Sequence, residues 1–244
     1  MNAQLFPVVI LAGGLATRLK PLTETIPKAL VDVNGEPFIA HQLRLLHTCG
    51  IERVIICVGH LGEMIRQYTG DGSQFGVRVE FVFDGPRLLG TAGAIKQALP
   101  VIRENFFVLY GDSYLPCDYC AIQESFVTGG KLALMTICHN QNQWDSSNVE
   151  YVNGRVLNYD KHNRTPRMHY IDYGLGVFAH AAFDYVPAQQ PYDLAVLYQQ
   201  LLQADELAGY EVSQRFYEIG SLTGLEETRR YVAEQAVLKG SGEA

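Results

Sequence analysis

A chain of 244 residues fits one large α/β domain or two small ones, and with 48% hydrophobic and 18% charged residues it has the make-up of a soluble globular protein with a substantial core. Its formal net charge of −7 gives no general attraction to nucleic acid or anionic lipid, so neither is expected as a partner and positive charge should be local to a ligand site. The five cysteines (49, 57, 117, 120, 138) form no disulfide framework or zinc pattern, and MNAQLFPVVILAGG lacks the basic flank and apolar length of a signal or membrane span, so a cytoplasmic location is expected.

The apolar run from Val8 to Leu11 predicts a buried strand that breaks into Gly13-Gly14 and a basic loop. Glycine tolerates positive φ and lets a ligand approach the chain, so such a turn can present several amide donors to an anion. Arg18 adds a fork of donors suited to phosphate oxygens, and Lys28 is a second cation behind Pro27. By itself such a glycine pair is more often an ordinary tight turn. Neither G-x-x-x-x-G-K-[ST] nor G-x-G-x-x-G is present, which disfavours a kinase-type P-loop and a Rossmann dinucleotide site. A helix is predicted over about Pro37 to Cys49 with Gly50 as its stop, then a buried strand from Arg53 to Gly59. This spacing makes a right-handed βαβ unit with parallel strands. A short helix over Gly62 to Tyr68 and an alternating strand over Val77 to Phe83 follow, with His60 read as a loop histidine at a strand end.

In DGPRLLGTAGAIKQALP the small residues Gly90, Thr91, Ala92 and Gly93 open a helix with Ala94, Ile95 and Leu99 on its apolar face. They suit a base or ribose lying against the backbone, or simply close helix–sheet packing, and Thr91 can cap the helix or touch a ligand. Phe106 to Tyr110 is another buried strand, and it delivers Gly111-Asp112 to the sheet edge that holds the glycine loop. A carboxylate there can hold a hard cation against phosphate oxygens, or merely cap a turn. Asp118 caps a helix to about Phe126, and Lys131 to Cys138 is one more strand. Around Asn153-Gly154 the alternation signals a hairpin, an added lobe walling one side of a cleft. A core-facing helix is expected over about Tyr192 to Leu207, and Thr223 with Glu226 forms a capping box for a terminal helix.

LAGGLATRLKPLT, followed by PKAL and VNGEP, resembles the signature of the sugar-1-phosphate nucleotidyltransferases, or nucleotide-sugar pyrophosphorylases, over about Val8 to Val232. The resemblance implies an α/β fold: a Rossmann-like, mostly parallel central sheet flanked by helices, with an inserted antiparallel hairpin lobe. It implies one domain over 1–240, with a nucleotide-binding part at about 1–138 and a sugar-phosphate-binding part at about 139–240. Leu11, Ala12, Gly13, Gly14, Thr17 and Arg18 would bind nucleotide together with Gly90, Thr91, Ala92 and Gly93, with base-reading backbone atoms near Asp84 to Gly90. Arg18 and Lys28 would be catalytic. Mg²⁺ is the implied cofactor, held by Asp112 and Glu218. Glu218 stands where aspartate is usual, and its extra methylene moves the carboxylate out by roughly 1.5 Å, so either the backbone is retracted or the metal is held through water.

Asn148, Glu150, Lys161, Asp172 and Gly174 are the matching sugar-phosphate candidates, although YDKHN around Lys161 lacks the proline of the similar family element and has Asp160 in place of its glutamate. The partners so implied are a nucleoside triphosphate and a sugar 1-phosphate. Similarity to short bacterial guanylyltransferases for heptose or mannose phosphates favours guanylyl transfer. Uridylyltransferases for N-acetylmuramate phosphate, uridylyl or cytidylyl transfer to another sugar phosphate, other phosphorylated acceptors such as phosphocholine or the molybdopterin cofactor, and a non-catalytic nucleotide-sugar sensor are the competing expectations. The sequence sets no oligomeric state.

Overall fold

The computed structural model describes residues 4–14, 19, 22–140 and 142–240. The first part of the chain runs β1 (Val8–Ala12), β2 (Asp32–Val33), β3 (Glu36–Pro37), α1 (Phe38–Thr48), β4 (Arg53–Val58), α2 (Gly62–Thr69), β5 (Arg78–Phe83), α3 (Gly90–Ile102), β6 (Phe106–Tyr110), β7 (Ser113–Tyr114), α4 (Tyr119–Gly129) and β8 (Ala133–His139). The remainder runs β9 (Val149–Val152), β10 (Arg155–Tyr159), β11 (Tyr170–Phe178), α5 (Leu194–Gln203), β12 (Leu207–Glu211), β13 (Tyr217–Glu218) and α6 (Leu222–Gly240).

The apolar strands pair as their runs predict. β1 is parallel to β4 on one side and to β6 on the other, and β4 is parallel to β5. The chain winds outward from β1 to β5 and then crosses back through α3 to β6, which makes the ends of β1 and β6 a topological switch point where such sheets bind ligands. Strand alternation sends Val8 and Ile10 to the face covered by α1 and α4, and Val9 to the face covered by α3 and α5. A third cluster joins Leu19, Val31, Val33 and Phe38 to Ile219 and Leu225, fastening the segment after β1 to the start of α6.

The second part of the chain inserts β11 antiparallel between β6 and β8, and β12 then adds parallel to β8. The sheet is therefore mixed. Leu175 pairs with Leu109, so residues 170–173 project beyond the C-terminal end of β6. There β9 and β10, the hairpin turning at Asn153 and Gly154 with φ of 51° and 82°, continue the sheet past the parallel strands. This is the predicted lobe.

Two element readings are corrected. The helix expected over Tyr192 to Leu207 is α5, ten residues long, because Leu207–Glu211 leaves it as the edge strand β12. The cap of α6 is Ser221 rather than Thr223: the Ser221 Oγ accepts from the Gly224 N–H at 3.0 Å, and Thr223 lies inside the helix. Asp118 does cap α4, accepting from the Ala121 N–H at 3.0 Å.

Candidate active site

The ends of β1 and β6 approach closely. The Gly111 N–H donates to the Leu11 carbonyl at 3.0 Å, and a Cβ at position 111 would stand 2.5 Å from that oxygen, so only glycine permits the approach. The contact sets Asp112 beside the Gly13-Gly14 turn. Lys28, on the short helical turn Lys28–Leu30, donates from Nζ to Asp112 Oδ2 at 2.9 Å, both side chains largely shielded from solvent. A cavity of about 260 Å³ opens here, walled by Leu11, Ala12, Gly13 and Gly14, by Lys28 and Asp112, and across from them by Gly90 and Thr91. Thr17 and Arg18 lie outside the described residues.

Of the four small residues opening α3, only the first two reach the cavity. Gly90 has φ of +70°, and the Ala92 and Gly93 N–H groups donate to the Tyr192 carbonyl at 2.9 and 3.3 Å. Ala92 is fully buried, and a Cβ on Gly93 would meet the Gln190 carbonyl at 2.8 Å, so these two sit behind the cavity wall against residues 190–192. The Thr91 hydroxyl caps α5, not α3: it accepts from the Leu194 N–H at 2.7 Å and lies 3.3 Å from Asp193 Oδ1. The third and fourth amides of α3 are thus engaged by protein. Asp84 contributes a side chain to the cavity where the sequence suggested backbone contacts alone; its Oδ2 accepts from the Leu89 N–H at 3.3 Å, and burial raises its pKa.

A larger cavity of about 820 Å³ adjoins, sharing Tyr110 and Asp112 with the first. Asn148, Lys161, Asp172 and Gly174, the sugar-phosphate candidates, line it. Asp172 is held in place by its neighbours: Oδ2 accepts from the Tyr159 hydroxyl at 3.2 Å, Oδ1 from the Gly174 N–H at 3.0 Å, and its own N–H donates to Asn148 Oδ1 at 2.9 Å. Lys161 Nζ stands 5.4 Å from the Tyr110 ring centroid. The Tyr110 phenol, pushed well above its ordinary pKa by burial and by Asp172, forms a neutral wall between the two cavities. Glu150 is not brought into this group. It is buried on β9 outside both cavities, with Oε1 3.1 Å from Arg167 Nε.

The cleft also holds Arg215, Trp144 and Tyr217, which the sequence reading did not combine. The Arg215 guanidinium lies 5.3 Å from the Trp144 ring and 5.0 Å from the Tyr217 ring and pairs with Glu227. Trp144, its ring 5.9 Å from that of Phe216, is part of the cavity wall. The sequence held one signal, an arginine flanked by aromatics in QRFYE, but its partners at 144 and 227 are joined only by the fold.

Glu218 and Asp112 meet through the backbone. β13 pairs with β7, setting Glu218 opposite Ser113, and the Ile219 N–H donates to the Asp112 carbonyl at 2.9 Å. Both residues line the larger cavity. The longer side chain folds back on its own loop, with Oε2 accepting from the Gly220 N–H and Oε1 from the Ser221 hydroxyl at 3.0 Å. Among the described residues no three His, Cys, Asp or Glu side chains gather as a metal group. Two carboxylates at one cleft are nonetheless the hard oxygen donors that Mg²⁺ takes, and Asp112 Oδ1 accepts no hydrogen bond from the described residues. The donor set fits that ion.

Among the described residues no helix is long and apolar enough to cross a membrane. The family model described as "Nucleotidyl transferase" matches residues 7–234. A UTP–glucose-1-phosphate uridylyltransferase from Synechocystis sp. is 30% identical over 202 residues, covering 76% of this chain and 52% of the relative. A D-glycero-alpha-D-manno-heptose 1-phosphate guanylyltransferase from Campylobacter jejuni is 36% identical over 110 residues, 45% of this chain and 49% of the relative. The chain thus spans about half the length of these curated relatives. The crystal structure of HddC from Yersinia pseudotuberculosis complexed with GMP-PN shares the fold, with a TM-score of 0.78 at 22% identity, over 93% of this chain and all of that one.

Proposed function

The chain belongs to the nucleotidyl transferase family, and on that premise we propose that it transfers a nucleotidyl group from a nucleoside triphosphate to a sugar 1-phosphate, with GTP as donor and a heptose or mannose 1-phosphate as acceptor. The observation that carries this reading is the junction of two cavities at Tyr110 and Asp112, with Lys28 beside them. One cavity suits the nucleotide, the other the sugar phosphate, and the reacting phosphates meet between them.

In this reaction a phosphate oxygen of the sugar phosphate attacks the α-phosphorus, the α–β anhydride bond breaks, and pyrophosphate leaves. The nucleophile is already an anion, so the site needs no activated serine or cysteine. What it must do is align two anions and disperse their charge. Lys28 supplies a fixed cation, Gly13 and Gly14 let the phosphates approach the backbone, and Lys161 offers a second cation on the sugar side. Mg²⁺ held by Asp112 and Glu218 would add shielding of the phosphate oxygens. Arg18 is proposed as the further catalytic cation of the loop. The competing reading as a nucleotide-sugar sensor draws on one observation, the engagement of both Glu218 oxygens by their own loop.

The test is pyrophosphate release from the purified chain with Mg²⁺, each common triphosphate and a panel of sugar 1-phosphates. Turnover is expected with GTP and a heptose or mannose phosphate, reduced on the order of a hundredfold in Asp112→Asn with the fold retained. Tight nucleotide-sugar binding without pyrophosphate would favour the sensor.

A further inference from the structure

Trp144 is the single tryptophan of the chain, and its side chain lines the larger cavity while remaining 36% exposed. An aromatic that anchors a loop buries its ring, but this loop is fastened by other means. The buried Asn140 donates from Nδ2 to the Asp145 carbonyl at 2.6 Å and accepts at Oδ1 from the Trp144 N–H at 3.2 Å. The buried Ser147 accepts at Oγ from the Asn142 N–H at 3.1 Å and donates its own N–H to Asn142 Oδ1 at 2.8 Å. These contacts hold residues 142–147 in shape and leave the indole at the cleft.

Two neighbours fix how the ring stands. The Arg215 guanidinium covers one face, 5.3 Å from the ring centre, and the Phe216 ring meets it at 80°. Among the described residues the indole N–H donates to no acceptor. A braced apolar ring with an open donor at its rim suits the C–H face of a pyranose: the weakly positive hydrogens meet the negative face of the π system, and a hydroxyl accepts from the N–H. Because the ring is already ordered, a ligand settling on it has little entropy to overcome.

Charge decides which part of an acceptor belongs here. Arg215 is matched by Glu227, and Asp145 adds a carboxylate beside the ring, so a second anionic group gains nothing at this wall. Lys161 and Arg164 line the same cavity with no acidic partner among the described residues, and they are the cations left for the acceptor's phosphate. We propose that Trp144 stacks against the uncharged ring of the sugar 1-phosphate and is a specificity-determining residue for the acceptor. This assignment rests on the reading of the larger cavity as the acceptor site and deepens it.

The test is calorimetry and Trp144 emission in the full chain with Mg²⁺, with and without a non-hydrolysable GTP analogue. The titrants are mannose 1-phosphate, glucose 1-phosphate, glucuronic acid 1-phosphate and inorganic phosphate. Whichever neutral sugar 1-phosphate binds should shift the emission to shorter wavelength and protect it from acrylamide quenching, and inorganic phosphate should do neither. Trp144→Ala should weaken that sugar phosphate about tenfold and leave inorganic phosphate unchanged, whereas Trp144→Phe, which keeps a ring, should stay within about threefold of wild type.

A sugar phosphate that binds the wild-type chain with emission and quenching unchanged overturns the proposal without recourse to any variant. So does a panel in which no sugar phosphate binds better than inorganic phosphate, or equal weakening of both in Trp144→Ala. Tighter binding of glucuronic acid 1-phosphate than of glucose 1-phosphate would give the wall to Arg215 and overturn it too. Pyrophosphate release scores the transfer reaction separately: turnover with an unchanged acceptor KM in Trp144→Ala sinks the stacking and leaves the reaction, and protection of the indole without pyrophosphate does the reverse.

Discussion

Asp84 carries its charge where burial opposes it. Its folded-state pKa is raised from 3.8, so just above that value the native chain binds more protons than the unfolded one. Stability therefore falls as pH rises through this window, and the ionised carboxylate is a liability at neutral pH. Asp84→Asn removes the charge and keeps an oxygen for the Leu89 N–H. Its urea midpoint should exceed that of wild type at pH 7, with the gain shrinking as pH falls towards 4; a gain that ignores pH would refute this account. Glu218 poses the opposite question, since its carboxylate already has work within its loop. Glu218→Gln retains an acceptor for Gly220 and a polar group for Ser221, so the fold should hold. The Mg²⁺ concentration for half-maximal pyrophosphate release should rise at least about tenfold, and an unchanged requirement would leave Glu218 a loop cap only. At this scale the sequence made Gly13, Lys28 and Asp112 legible because strand ends and glycines are local signals. It left Arg215 unread because its meaning depends on Trp144 and Glu227, which only the fold brings near.

At the scale of elements, β11 shapes the larger cavity, proposed for the sugar phosphate, and Gly174 is the point where it bends. The pairing of β11 with β8 shifts register between Asp172 and Gly176, and within that irregularity Gly174 takes φ of +95°. A Cβ there would lie 3.3 Å from Ser113 Oγ, tight but tolerable, so the backbone conformation is the larger obstacle. Gly174→Ala should cost about 1–2 kcal/mol of stability and raise KM for the sugar phosphate more than KM for the triphosphate; an equal rise in both would mean that the bend serves the whole sheet. Elements with a strong period or a turn signal, such as β1, β4, the start of α4 and the hairpin at Asn153-Gly154, were readable within a residue or two. β12 was not, because LAGYE follows a helix without Pro or Asn to mark the change and becomes a strand only through its parallel partner β8. The cap of α6 misled for a related reason: Ser221 and Thr223 both precede acceptable turns, and Ile219 packing into the third core cluster selects the earlier start.

For the whole molecule, residues 1–138 and 139–240, proposed as the nucleotide and sugar-phosphate parts, share one core. β11, from the second part, lies between β6 and β8 of the first, and one apolar cluster contains Val8 and Ile10 together with Leu175 and Val177. The sequence suggested the lobe but could not reveal this interleaving, since strand order depends on which edge of β6 stays open after the βα units are wound. Residues 1–138 alone would leave β6 and β8 facing a gap and expose the apolar residues that β11 covers. The two parts should therefore unfold together. Trp144, the single tryptophan, sits in the second part with its ring 5.9 Å from that of Phe216, so its emission reports on that part, whereas far-UV circular dichroism is dominated by helices in both parts. Urea transitions followed by the two signals should coincide in midpoint and slope, as two-state unfolding requires. A fluorescence change at clearly lower urea, with the dichroism still native, would mean that the sugar-binding part opens by itself and that β11 is more loosely held than its central position implies.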